Sequence, residues 1–200
     1  MRFWILIGFL CLVSGTTTLA QKRSSKHPKT KPAVTAKPKV KPAVTAAPTP
    51  RQKAESLFDQ GADLVFDERF DEALDAFTEA IRLDSTYAEA YQMRGEILMG
   101  NGVYDRALPD LNHAVRHGKD NPAYFYSRAN LLVEMRRFEQ AIPDYDRVLA
   151  LKPDYAEAWL DRASAKGAKG DTAGACTDVQ KAESLGLKSE SLRQKFCVPK

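Results

Sequence analysis

The sequence predicts an all-α fold, an α-solenoid of four helix-turn-helix units closed by a short C-terminal capping helix and preceded by a disordered arm. Three observations predict it. From Ala54 onward the 200-residue chain repeats with a period of 34 and no insertion, in units 54–87, 88–121, 122–155 and 156–189. Each unit holds two segments of about a dozen residues with apolar positions three and four apart, the spacing that gathers them on one helix face. Small residues recur at the eighth position (Gly61, Gly95, Ala129, Ala163) and the twentieth (Ala73, Ala107, Ala141, Ala175), where two helices of a hairpin need to approach closely.

In chain order, the first segment reads MRFWILIGFLCLVSGTTTLA, with Arg2 before an apolar run from Phe3 to Val13 and a small-residue end at Ala20. That order is the signature of a secretory signal peptide over 1–20, cleaved after Ala20. The run falls short of the roughly 20 apolar residues that span a bilayer, which disfavours the alternative of an uncleaved membrane anchor. Cys11 follows the bulky Leu10, which disfavours lipoprotein processing. The expected destination is secreted or periplasmic.

From 21 to 53 the chain has ten Lys or Arg, no Asp or Glu, most of its prolines and two copies of KPAVTA, at Lys31–Ala36 and Lys41–Ala46. Such a segment buries too little apolar surface to offset its ordering entropy, so a disordered basic linker is expected. The block 54–189 carries a net charge of −9, so a basic arm precedes an acidic body.

Within the repeats the fourth position is large and apolar (Leu57, Tyr91, Phe125, Trp159), and so is the twenty-fourth (Phe77, Leu111, Tyr145, Val179). Pro109 and Pro143 fall near the start of second helices, where few N–H groups have intrahelical partners. The fourth unit departs from the pattern. Lys166 stands where the others have Leu64, Leu98 and Leu132, and Gly167, Gly170 and Gly174 would each weaken a helix by up to about 1 kcal/mol, so this unit is expected to be the softest. Ser189 to Phe196, with Leu192 and Phe196 on one face and Ser189 or Ser191 as N-cap, is expected to form the cap within 190–200.

These residues resemble the tetratricopeptide repeat. The resemblance implies a solenoid whose first helices line a concave groove, and a function in binding proteins or peptides. It places Phe58, Gln92, Met93, Tyr126, Asn130 and Leu160 on the concave wall, with Asp59, Glu89, Glu96, Glu157 and Asp161 around them, an arrangement suited to a partner with apolar anchors and basic flanks. The chaperone-peptide clamp of some members is not carried over, because its register here holds Phe58, Ala62, Met93, Ala123 and Ser127 and no cation. In the same family the position of Cys176 packs toward the next unit, here the cap with Cys197. A disulfide between them would be worth roughly 3 kcal/mol in the chain-entropy model. The alternative is a buried small side chain and an unrelated free thiol.

Position seven carries Arg94, Arg128 and Arg162, and position twenty-three of the same units carries Asp110, Asp144 and Asp178; unit one has Gln60 and Ala76 instead. Antiparallel hairpin helices bring seven near twenty-three, so the three pairs are expected to be intrahairpin braces rather than a catalytic or ligand site. His113 and His117 lie i, i+4, but no third ligand is evident and position thirty is otherwise apolar, so His117 is expected to cover the core edge and no metal is expected. No HExxH, glycine-rich phosphate loop, GxSxG or paired CxxC occurs, so neither enzymatic activity nor a cofactor is expected. The arm has no aromatic residue to stack on bases, which disfavours nucleic acid. A structural envelope protein, whose arm binds an anionic cell-wall or lipid surface, stands as the alternative function.

Overall fold

The computed structural model describes residues 47–198. The expected signal peptide and most of the expected linker lie outside the described residues. Those described form nine helices and no strand: α1 Pro50–Phe66, α2 Phe70–Leu83, α3 Ala88–Gly100, α4 Tyr104–His117, α5 Pro122–Glu134, α6 Phe138–Leu151, α7 Ala156–Ala168, α8 Thr172–Ser184 and α9 Glu190–Cys197. Consecutive pairs make four hairpins, and α9 packs on α8 and α7.

The first helix begins four residues before Ala54, inside the segment expected as linker. The reason is local. The Thr49 hydroxyl accepts from the Gln52 backbone N–H, the Gln52 side chain accepts from the Thr49 N–H, and Pro50 supplies a pre-set φ at the first helical position. A capping box outweighs the basic, proline-rich composition around it.

Every hairpin turns in the same way. The fifteenth position of each unit has a left-handed backbone, at Glu68 (φ 60), Gly102 (φ 75), Arg136 (φ 58) and Gly170 (φ 95). Each turn is closed by a bond back to the fifth residue before the donor: Arg69 to Leu64, Val103 to Leu98, Arg137 to Leu132 and Asp171 to Lys166, at 2.7–2.9 Å. Gly170 therefore sits outside the helices, where a residue without Cβ is the least strained choice. Gly167 and Gly174 also differ from the expectation of plain helix weakening. The Phe196 ring lies against Gly167 with no room for a Cβ, and the Asp171 carboxylate caps α8 by accepting from the Gly174 N–H at 2.9 Å.

The core is built by size exchange between positions eight and twenty-four. A Cβ on Gly61 would come within 2.6 Å of the Phe77 ring, and one on Gly95 within 3.0 Å of Leu111. Phe77, Leu111, Tyr145 and Val179 are all buried, and so are the four alanines at position twenty. Missing volume on one helix is filled from the other, which holds the packing dense.

Candidate interaction groove

Curvature comes from the odd-numbered helices. α3 touches α5 and α5 touches α7, while no comparable contact joins the even-numbered helices among the described residues. The odd helices therefore lie on the inside of the curve.

The six residues expected on that wall all have a second use. Phe58 packs on the rings of Phe77 and Tyr87, with centroids 5.5 and 5.2 Å away. Met93 joins the cluster of Leu64, Phe77 and Ile97, and Leu160 that of Ala163, Val179 and Phe196. The Gln92 amide donates to Glu96 Oε1 (2.9 Å) and Ser127 Oγ (3.1 Å). Tyr126 donates its hydroxyl to Asp161 Oδ2 at 2.6 Å, and Asn130 Oδ1 accepts from the Tyr145 hydroxyl at 2.7 Å. Much of the polar wall thus joins one repeat to the next.

Two wall carboxyls have no charged partner. Burial pushes Glu96 above the usual carboxylate range, opposed by the Ser127 and Gln92 hydrogen bonds. Burial also pushes Asp161 up, against the Tyr126 hydrogen bond and with help from Glu157. A carboxyl whose folded value is raised binds more protons in the native state, so stability falls as pH rises from the unfolded value, about 4, through the raised one. Glu96→Gln combined with Asp161→Asn should accordingly raise the melting temperature at pH 7, with the gain fading toward about pH 4. A gain that does not change with pH in parallel thermal melts would contradict this account.

The cations of α3, α5 and α7 are turned elsewhere. Arg94 makes a two-bond fork to Asp110 (2.7 and 2.8 Å), Arg128 to Asp144 (2.8 and 2.7 Å), and Arg162 to Asp178 (2.8 and 2.8 Å). All three aspartates are buried. Each arginine has a further arm that sequence reasoning missed: Nη1 reaches position twenty-five of the preceding unit, at Thr78 (3.1 Å), Asn112 (3.0 Å) and Asp146 (2.6 Å). The signal was present in the sequence, since all three residues can accept a hydrogen bond. Lys166, odd at its position, places Nζ 2.8 Å from Asp178 and adds a second cation to the most buried of the three carboxylates. Among the described residues Asp59, Glu89, Glu96, Glu157 and Asp161 are within ion-pair distance of no cation.

Of the two histidines, His113 is the one at the core edge, stacked on Tyr91 with centroids 4.7 Å apart, while His117 is exposed. The His113 Nδ1 is buried and has no hydrogen-bond partner among the described residues. The sequence assigned the edge to His117 because position thirty is apolar elsewhere; the stack with Tyr91 instead selects position twenty-six.

Four stacked hairpins with a curved inner wall, and no strand among the described residues, define a helical-repeat solenoid of the kind that scaffolds protein interactions. The family model described as tetratricopeptide repeat matches residues 58–123 and 126–184, more than half of the chain, and the protein belongs to that family. No curated protein matches the sequence. Among solved structures, MamA 41-end from Desulfovibrio magneticus RS-1 is similar at 21% identity and TM-score 0.63, over 66% of this chain and 75% of its own. A tetratricopeptide repeat protein from Parabacteroides merdae is 23% identical with TM-score 0.64, over 72% of this chain and 57% of its own. The first such domain of Spaghetti (RPAP3), bound to the HSP90 peptide SRMEEVD, is 25% identical with TM-score 0.58, over 60% of this chain and 95% of its own.

Proposed function

We propose that the protein is a non-enzymatic, exported interaction scaffold whose concave groove takes a peptide or protein segment with apolar anchors and basic flanks. Export rests on the signal-peptide pattern of residues 1–20. The observation that carries the partner's chemistry is the charge distribution of the inner helices. Arg94, Arg128, Arg162 and Lys166 are spent on buried aspartates, whereas the wall carboxylates face no cation among the described residues. Such a wall attracts positive charge and repels negative. The peptide held by the Spaghetti domain ends in Glu-Glu-Val-Asp, three acids in four residues; the present wall suits the opposite charge. Because Tyr126 and Gln92 also join repeats and Asn130 braces its own hairpin, a test of the groove is cleaner on its exposed acids. Asp59→Lys with Glu157→Lys should cut capture of the native partner at least tenfold, followed by pull-down from the native source with mass spectrometry, while the helical circular dichroism stays unchanged. Undiminished capture would refute the groove reading.

A further inference from the structure

The C-terminal helix does more than close the end of the stack. α9 packs along α8 and also reaches α7, the last inner helix. Its single buried residue, Phe196, lies against Gly167. Gly167 is the counterpart of Val65, Met99 and Val133 on the other inner helices, so the Phe196 ring occupies the space that a side chain of the helix itself fills elsewhere. Leu160, the wall residue of unit four, packs into the same cluster as Leu192, Phe196 and Cys197. α9 thus covers Leu160 and Gly167, while Glu157 at the start of α7 stays exposed.

One covalent tie pins this cover to α8. Cys176 of α8 and Cys197 of α9 stand as a disulfide pair with Cα atoms 4.9 Å apart. Apart from it, α9 has the Phe196 and Leu192 contacts and one ion pair, Arg193 to Glu183 at 3.6 Å, more than half exposed on the arginine. The connection from α8 runs through Leu185 to Ser189, where Gly186 (φ 94) closes the end of α8 and Lys188 makes no backbone hydrogen bond among the described residues. An eight-residue helix is too short to persist in water once detached.

We propose that α9 is a redox-latched strap: with the Cys176–Cys197 bond intact it stays packed on Leu160 and Gly167, and when a dithiol reductant opens that bond α9 leaves and the apolar stretch around Leu160 is added to the open wall. A thiolate of the dithiol attacks one cysteine sulfur, the S–S bond breaks and a mixed disulfide forms. The second thiol of the reductant then displaces the cysteine, so the protein gains two electrons and two protons and the reductant becomes a disulfide. The consequence for binding rests on the groove reading; the latch itself does not.

Hydrogen exchange with peptide-level mass spectrometry tests the latch in the full chain purified without reductant. A tryptic species linking Cys176 to Cys197 is expected. After dithiothreitol, and in Cys197→Ser, the amides of residues 193–197 should exchange at least tenfold faster while α1 to α6 keep their protection. Absence of the linked species, or unchanged exchange in α9 after reduction, would overturn the proposal. Release of α9 with identical partner capture in both redox states would overturn its connection to the wall and leave the groove reading standing, because that reading is decided at Asp59 and Glu157.

Discussion

Arg128→Ala alone is expected to destabilise the solenoid by about 3 kcal/mol, the lower end of what removal of one partner of a buried ion pair costs. Asp144 is buried, and its two oxygens accept only from the Arg128 fork among the described side-chain bonds. Without the guanidinium a carboxylate is left in the hairpin with neither countercharge nor donor. The same change cuts the third arm to Asn112, so the boundary between units two and three loosens as well. Arg128→Met with Asp144→Leu, which removes both charges and keeps volume, should cost less than Arg128→Ala despite being a double change. The coupling between the two positions should be at least about 1 kcal/mol in a double-mutant cycle followed by urea denaturation. Zero coupling would mean that the two side chains stabilise the hairpin independently, and the brace would be refuted.

Phe77→Ala should cost about 3–5 kcal/mol, because the side chain is fully buried and the surrounding backbone cannot collapse onto the space it leaves. The sharper expectation concerns its partner. In the parent chain Gly61→Ala drives a Cβ to within 2.6 Å of the Phe77 ring and should destabilise. In the Phe77→Ala background that obstacle is gone, and the same Gly61→Ala should become neutral or stabilising, since alanine is favoured over glycine in a helix interior by roughly 1 kcal/mol. Thermal melts of the four proteins decide the matter. A Gly61→Ala effect of the same sign in both backgrounds would show that positions eight and twenty-four do not exchange volume.

The two experiments address different layers of one design. Phe77 over Gly61 belongs to the packing that makes each hairpin compact. Arg128 belongs to the register, because a forked pair is satisfied only at one stagger of the two helices and its third bond only at one stagger of adjacent units. Buried ion pairs contribute uncertain net stability, yet this one has a geometry that a shifted repeat cannot reproduce. Unit one lacks the pair, but Thr78 still receives the arm of Arg94, so the first boundary is braced from one side.

Helix number, helix order and the pairing of position seven with twenty-three were legible in the sequence, because they depend on spacing along the chain and on comparing four internal copies. The capping box at Thr49 was legible too, but composition hid it. Other features could not be read from periodicity. Lys166 and Gly167 look like faults in a repeat and are fitted parts: one neutralises Asp178, the other makes room for Phe196. The reach of each arginine to the preceding unit, and the double duty of Tyr126 and Gln92, likewise depend on how hairpins stack. Periodicity along one chain determines which face of a helix is apolar and where hairpins turn. The stagger between hairpins, set by the packing of large against small side chains, decides which atoms meet across a boundary, and therefore which polar groups are spent on the fold and which carboxylates remain for a partner.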